Sequence, residues 1–162
     1  MKTSFGIQSF IIVLFLCGCS GIFGGESLAD LVVETIEKRD NGYYSENPIE
    51  RVIKNQDEFD QVWTKIFKSQ QPFPESPKID FKNHTVILIM LDLKYSGGYE
   101  ISDLSVIRED DHISISYKEI RPGTNCGVTE ASTQPLHLFS INEKGWPVRF
   151  NKMETLYSDC RD

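Results

Sequence analysis

The sequence predicts an α+β fold, mainly antiparallel β-sheet in meander order packed by one amphipathic helix. Three observations lead there. Large apolar residues recur at helical spacing between Phe59 and Phe67. A nearly unbroken apolar run, Thr85 to Leu93, is short and β-branched enough for a strand buried on both faces. Downstream of it, segments with two-residue alternation are separated by turn residues.

Taken in order, Leu31 to Ile36 contains adjacent branched residues and reads as a first strand, closed by Asp40-Asn41-Gly42. A second short strand is expected over Arg51 to Lys54. Asn55 is placed to cap a helix, and Glu58, three residues later, completes a capping box. Phe59, Val62, Trp63, Ile66 and Phe67 then share one helical face, which must lie on a sheet. The helix has to end before Pro72, Pro74 and Pro77, which suit an extended crossover. After the buried strand, Ser96-Gly97-Gly98 breaks the chain, and Tyr99 to Ile107 is expected as an antiparallel return strand. Asp110-Asp111 turns into His112 to Ile120, where Ile113, Ile115 and Tyr117 alternate with Ser114, Ser116 and Lys118. A loop from Arg121 to Gln134 precedes a strand over Leu136 to Ile141, the turn Asn142 to Gly145 and a last strand around Val148 to Phe150.

The start of the chain speaks to its compartment. Lys2 precedes an uncharged apolar run from Phe10 to Leu16, then Cys17-Gly18-Cys19, and this resembles a bacterial lipoprotein signal whose lipidated residue is Cys19. Such a run is too short for a stable span, which needs about 20 apolar residues. An uncleaved anchor from Phe5 to Phe23 would be interrupted by Gly18, Ser20 and Gly21, and a plain secretory signal is the other alternative. By resemblance to lipoproteins of diderm bacteria, Ser20 implies the outer membrane. The expected organisation is a signal peptide over 1–18, a small and polar tether over 19–29, and one globular domain over 30–162. The membrane is then a partner through acyl chains, each contributing about 0.8 kcal/mol per buried methylene.

Lys2 is the one charge of the signal, so of 17 basic and 24 acidic residues the remainder keeps 16 and 24, a net charge of −8. That balance argues against nucleic acid as a partner. Cys17 leaves with the signal and Cys19 takes the lipid, so Cys126 and Cys160 remain and are expected to form a disulfide in an oxidising envelope compartment. A zinc site or a catalytic thiol would need a histidine or second cysteine close by in sequence, and neither residue has one.

The helix with Trp63, the segment Ile79-Asp80-Phe81, Ser96-Gly97-Gly98-Tyr99, Pro122-Gly123 and Thr133-Gln134-Pro135 follow one another as in the C-terminal domain of the PrcB family, which the chain resembles over about residues 55 to 151. Leu136-His137 stands where an aromatic is expected, and Asn125-Cys126-Gly127 is an insertion. The resemblance implies a non-catalytic accessory subunit that binds a protease or another envelope protein and assists its assembly or stability. A loop-based protease inhibitor is the alternative, and a hydrolase or small-ligand-binding lipoprotein is the third reading.

The chemistry-bearing residues agree with a binding role. There is no Gly-x-Ser-x-Gly elbow, and His84, His112 and His137 are separated from one another, as expected of ordinary surface or hydrogen-bonded histidines. Asp80 and Asp92 flank the buried strand, about 35 to 40 Å apart in extended chain, too far to act as a carboxylate pair. Gly97-Gly98 lacks the lysine and helix of a phosphate loop. No enzyme activity, metal or cofactor is expected. Ser96, Gly97, Gly98 and Tyr99 are the candidate partner contact, since glycines allow close backbone approach and a tyrosine adds amphipathic surface; the same residues suit a tight hairpin with Tyr99 turned inward. The loop from Arg121 to Gln134 is the second candidate.

Overall fold

The computed structural model describes residues 31–41 and 45–160. The signal peptide, the tether, Cys19 and Gly42 lie outside the described residues. Nine elements follow one another: β1 (Val33–Arg39), β2 (Ile49–Ile53), α1 (Gln56–Ile66), β3 (Thr85–Met90), β4 (Glu100–Arg108), β5 (Ile113–Pro122), β6 (Leu136–Ile141), β7 (Val148–Lys152) and β8 (Leu156–Ser158). Among the described residues no helix is long and apolar enough to cross a membrane.

The strands form two four-stranded sheets. The first has the order β1-β6-β3-β2 and is antiparallel throughout. The second has the order β4-β5-β7, with β8 also paired to β5; here β4 is antiparallel to β5, whereas β7 and β8 run parallel to it.

One-by-one alternation in β3 divides the core. Val86, Leu88 and Met90 join Ile53, Leu136 and Leu138 under the helix residues Phe59, Val62, Trp63, Ile66 and Phe67. Ile87 and Ile89 point the other way, joining Phe139 and Ile141 against Ile101, Ile113, Ile115 and Tyr117 of the second sheet. The first sheet is therefore the middle of three layers, which is why every residue of β3 and of β6 is buried.

The helix is built as its sequence dictates. Asn55 adopts an extended backbone and its side-chain oxygen accepts from the Glu58 amide at 2.9 Å. The Glu58 carboxylate closes back on the amide of Lys54, at 3.2 Å, one residue earlier than a standard capping box would use. All five apolar residues of the expected face are buried. The proline-rich crossover seals the far side of Trp63, whose indole N–H donates to the Pro74 carbonyl at 3.0 Å.

Several expected elements are displaced. The first strand occupies Val33–Arg39 rather than Leu31 to Ile36: as a sheet edge it tolerates Glu37, Lys38 and Arg39, and a bulge between Thr35 and Glu37 re-registers it on β6. The second covers Ile49–Ile53 rather than Arg51 to Lys54. The last expected strand runs on to Lys152, and β8 was not anticipated.

The meander is the larger correction. Tyr99 to Ile107 does not return along β3, because β2 and β6 already occupy both edges of β3. The Ser96–Gly98 break instead carries the chain into the second sheet, where β4 and β5 form the hairpin. The chain then crosses back for β6 and out again for β7, so only β4-β5 keeps the expected neighbour order.

Candidate functional site

At the end of the molecule where β3 leaves the first sheet, a buried ion cluster holds three loops together. Its centre is Glu119. On β5 the inward series Ile113, Ile115, Tyr117 continues with Glu119, which retains 0% exposure. Two-residue alternation from Ile113 is the signal in the sequence that turns this carboxylate inward.

A buried carboxylate needs partners, and Glu119 has three. Its Oε1 accepts from Lys94 Nζ at 2.9 Å and from Arg121 Nε at 2.9 Å, and its Oε2 accepts from Lys152 Nζ. Lys94 also reaches Asp92 Oδ1 at 2.6 Å and stands 5.0 Å from the centre of the Tyr99 ring. Burial alone would raise the Glu119 carboxyl, but the hydrogen bonds from Lys152, Lys94 and Arg121 outweigh it and bring it down to about 2. For Lys94, burial works against the charge, and its bonds to Asp92 and Glu119 win, so its ammonium is raised. This cluster stays ionised near neutrality and clamps rather than exchanges protons. Next to it, burial and then the hydrogen bond to Glu50 Oε1, at 2.7 Å, push the Tyr117 phenol upward.

The backbone around the clamp is equally tied. Lys94 and Thr133 exchange both amide hydrogen bonds, at 2.8 and 2.9 Å. The Gly97 amide donates to the Thr129 carbonyl at 3.0 Å, and Thr133 Oγ1 donates to the Ser96 carbonyl at 2.7 Å. A Cβ on Gly97 would lie 2.5 Å from Thr129 Oγ1. Gly98 has φ +87° and packs where a Cβ would lie 3.0 Å from Pro122. The close approaches at both glycines are thus made within the chain. The two candidate loops, Ser96 to Tyr99 and Arg121 to Gln134, are brought together into one assembly. Arg121 and Pro122 belong to β5 itself, so that loop begins two residues later than expected, at Gly123.

A disulfide joins Cys126 to Cys160, with Cα atoms 5.0 Å apart. It fastens β8 beside the same assembly, placing Tyr157 opposite Arg121 in the parallel register. Gln134, wholly buried, donates to the carbonyls of Leu91 (3.2 Å) and Ser45 and so ties the opening of β6 to the segment before β2. Around this framework the surface is aromatic: Tyr95 is 83% exposed, Tyr157 68%, and Val128 and Leu156 are also exposed.

The three histidines stay apart. His84 Nδ1 lies 3.2 Å from the Asp80 carbonyl, His112 Nδ1 2.5 Å from Asp111 Oδ1, and buried His137 2.9 Å from Thr35 Oγ1. Burial, reinforced by Lys38, lowers the His137 imidazole to about 4. Asp80 caps its turn through the Lys82 amide and the Asn83 side chain. Among the described residues no three His, Cys, Asp or Glu side chains are grouped to hold a metal ion.

What these features define is a three-layer, β-rich domain whose loops are organised by an internal ion cluster and a disulfide. Residues 85–142 of it match the family model described as PrcB C-terminal. The match runs from the first residue of β3 to the residue after β6 and includes Lys94, Ser96 to Tyr99, Glu119, Arg121 and Cys126. It is narrower than the 55 to 151 read from sequence fragments, leaving the helix with Trp63 and Ile79-Asp80-Phe81 outside. No curated protein and no solved structure matches the chain.

Proposed function

We propose that this protein is a non-catalytic accessory subunit of an envelope protease complex, and that it grips its partner through the clamped loops around Ser96, Gly97, Gly98 and Tyr99. The observation that carries this reading is the exposed set Tyr95, Tyr157, Leu156 and Val128 beside Arg121, on loops fixed by Glu119 and by the Cys126–Cys160 bridge. Tyrosine and arginine dominate the energetics of protein interfaces, and loops already held in place lose little entropy on binding. The family matched by residues 85–142 supports the protease-complex setting. Cys19 supplies the lipid that keeps the domain at the envelope, with the outer membrane as the proposed destination.

The test is a photo-crosslinking residue at Tyr95 or Tyr157, with Val33 on the β1 edge as the control position, activated in intact envelopes. Crosslinks from the tyrosine positions to a protease complex that is longer-lived with this protein support the reading. Crosslinks accompanied by loss of protease activity would support an inhibitor. Equal crosslinking from all three positions refutes the loop surface.

A further inference from the structure

At the opposite end of β3 a cavity of about 300 Å³ opens between β2, the start of β3 and the turn joining β6 to β7. Lys54, His84 and Lys144 line it together with Val52, Trp146 and Pro147, and among the described residues no acidic one does. This runs against the charge of the chain, in which acids outnumber bases by 24 to 17. Neither lysine has an ion-pair partner among the described residues. Glu143, in the same turn, has its carboxylate engaged by Arg108, while its carbonyl accepts from Thr85 Oγ1 at 2.6 Å and pins the turn to β3. The Arg108 guanidinium also lies 5.4 Å from the centre of the Trp146 ring, which holds that ring in position.

Two exposed lysines without an ion-pair partner among the described residues, lining the cavity with Val52, Trp146 and Pro147, ask for a ligand with one acid group and one apolar group. The volume is at the small end of ligand pockets, which span about 300 to 1,000 Å³, and so fits a single residue-sized group. We propose that this cavity binds a carboxylate attached to one apolar side chain, the acid between Lys54 and Lys144 and the side chain against Trp146. A free apolar acid and the C-terminal residue of a protein chain share that chemistry.

The test titrates the disulfide-bonded domain with N-acetyl-phenylalanine and with its uncharged amide, N-acetyl-phenylalaninamide, following amide and indole N–H resonances. The acid should saturate and shift Val52, Thr85 and the Trp146 indole, and the amide should bind about tenfold more weakly, as loss of a charge-assisted contact requires. Lys54→Gln combined with Lys144→Gln, both at exposed positions, should weaken the acid by about the same factor. Trp146→Ala should weaken acid and amide alike. A heptapeptide ending in phenylalanine carboxylate that binds more tightly than the small acid assigns the site to a chain end; equal or weaker binding assigns it to a free acid. Equal affinity for acid and amide, acid binding unchanged in the double lysine variant, displacement of the acid by equimolar inorganic phosphate, or no saturable shift at these residues would each overturn the proposal.

Discussion

Glu119→Gln tests the ion cluster most directly, because it keeps the shape of the side chain while removing the charge and turning one accepting oxygen into an N–H donor. The native carboxyl is held at about 2 against an ordinary value of 4.5. At about 1.4 kcal/mol per pH unit, that difference corresponds to about 3 kcal/mol of stability at neutral pH. Removing one partner of a buried ion pair costs a similar amount, about 3 to 5 kcal/mol, since Lys94, Lys152 and Arg121 would then face one another with only Asp92 to compensate. The direction with pH follows from the lowered value. The contribution is complete above about 4.5, the unfolded value, and disappears as pH falls towards 2. Urea unfolding of the oxidised protein at a series of pH values gives both quantities. Asp60, Asp80 and Asp111 are also lowered by their hydrogen bonds, so the informative curve is wild type minus variant, in which their contributions cancel. That difference should be about 3 kcal/mol at pH 7 and shrink between pH 4.5 and 2. A difference under about 1 kcal/mol at pH 7, or one independent of pH, would refute the clamp.

Four further outcomes are expected. Cys19→Ala should abolish incorporation of radiolabelled palmitate and release the protein from envelopes while its thermal transition stays the same; equal labelling of the variant removes the lipoprotein assignment. Trp63→Ala should cost about 3 to 5 kcal/mol in urea unfolding, since it removes an indole packed 4.3 Å from Phe67 and 5.7 Å from Phe59, measured between ring centroids, and strands the Pro74 carbonyl. Replacing Cys126 and Cys160 together by serine should cost about 3 to 4 kcal/mol through the reopened loop, with amide exchange rising first at β8; unchanged exchange at Tyr157 shows that strand pairing alone holds it. Gly98→Val forces a branched side chain into φ +87° against Pro122 and should lower both the melting temperature and partner capture; a folded variant with undiminished capture excludes Ser96 to Tyr99 as the contact.

The legible parts of the fold were those decided within one element. Asn55 and the spacing from Phe59 to Phe67 specify a helix and its buried face because capping and 3.6-residue periodicity are local. The unbroken apolar run at Thr85 marks a strand covered on both sides, and Leu136 to Ile141 is delimited by Pro135 and Asn142. Pairing is not local. Alternation within Tyr99 to Ile107 holds only on either side of a bulge, with Ile101 inward before it and Leu104 and Val106 after it, and it does not state which strand lies beside, so a return along β3 and a crossing to a second sheet look alike. The same limit hid β8, a three-residue strand that depends on β5 and on a bridge to Cys126.

Glu119 shows why the site itself was harder to read than the fold. Its inward position follows from alternation with Tyr117, yet its three cations come from the loop after β3, from β5 itself and from β7, at separations of 25, 2 and 33 residues. Only folding brings them together, and then one carboxylate fixes where Ser96 to Tyr99, the Cys126 loop and the chain leading to β8 stand relative to one another. The cavity lies at the other end of the same strand, lined by its first residue, Thr85, whereas Lys94 follows its last. Sites so placed share no side-chain partner, and distant substitutions are additive to within about 0.5 kcal/mol. Glu119→Gln should therefore loosen the loops proposed to bind a partner while N-acetyl-phenylalanine still reaches Trp146, and Lys54→Gln with Lys144→Gln should spare partner capture. Loss of both activities in either variant would mean that β3 transmits between the two ends of the molecule.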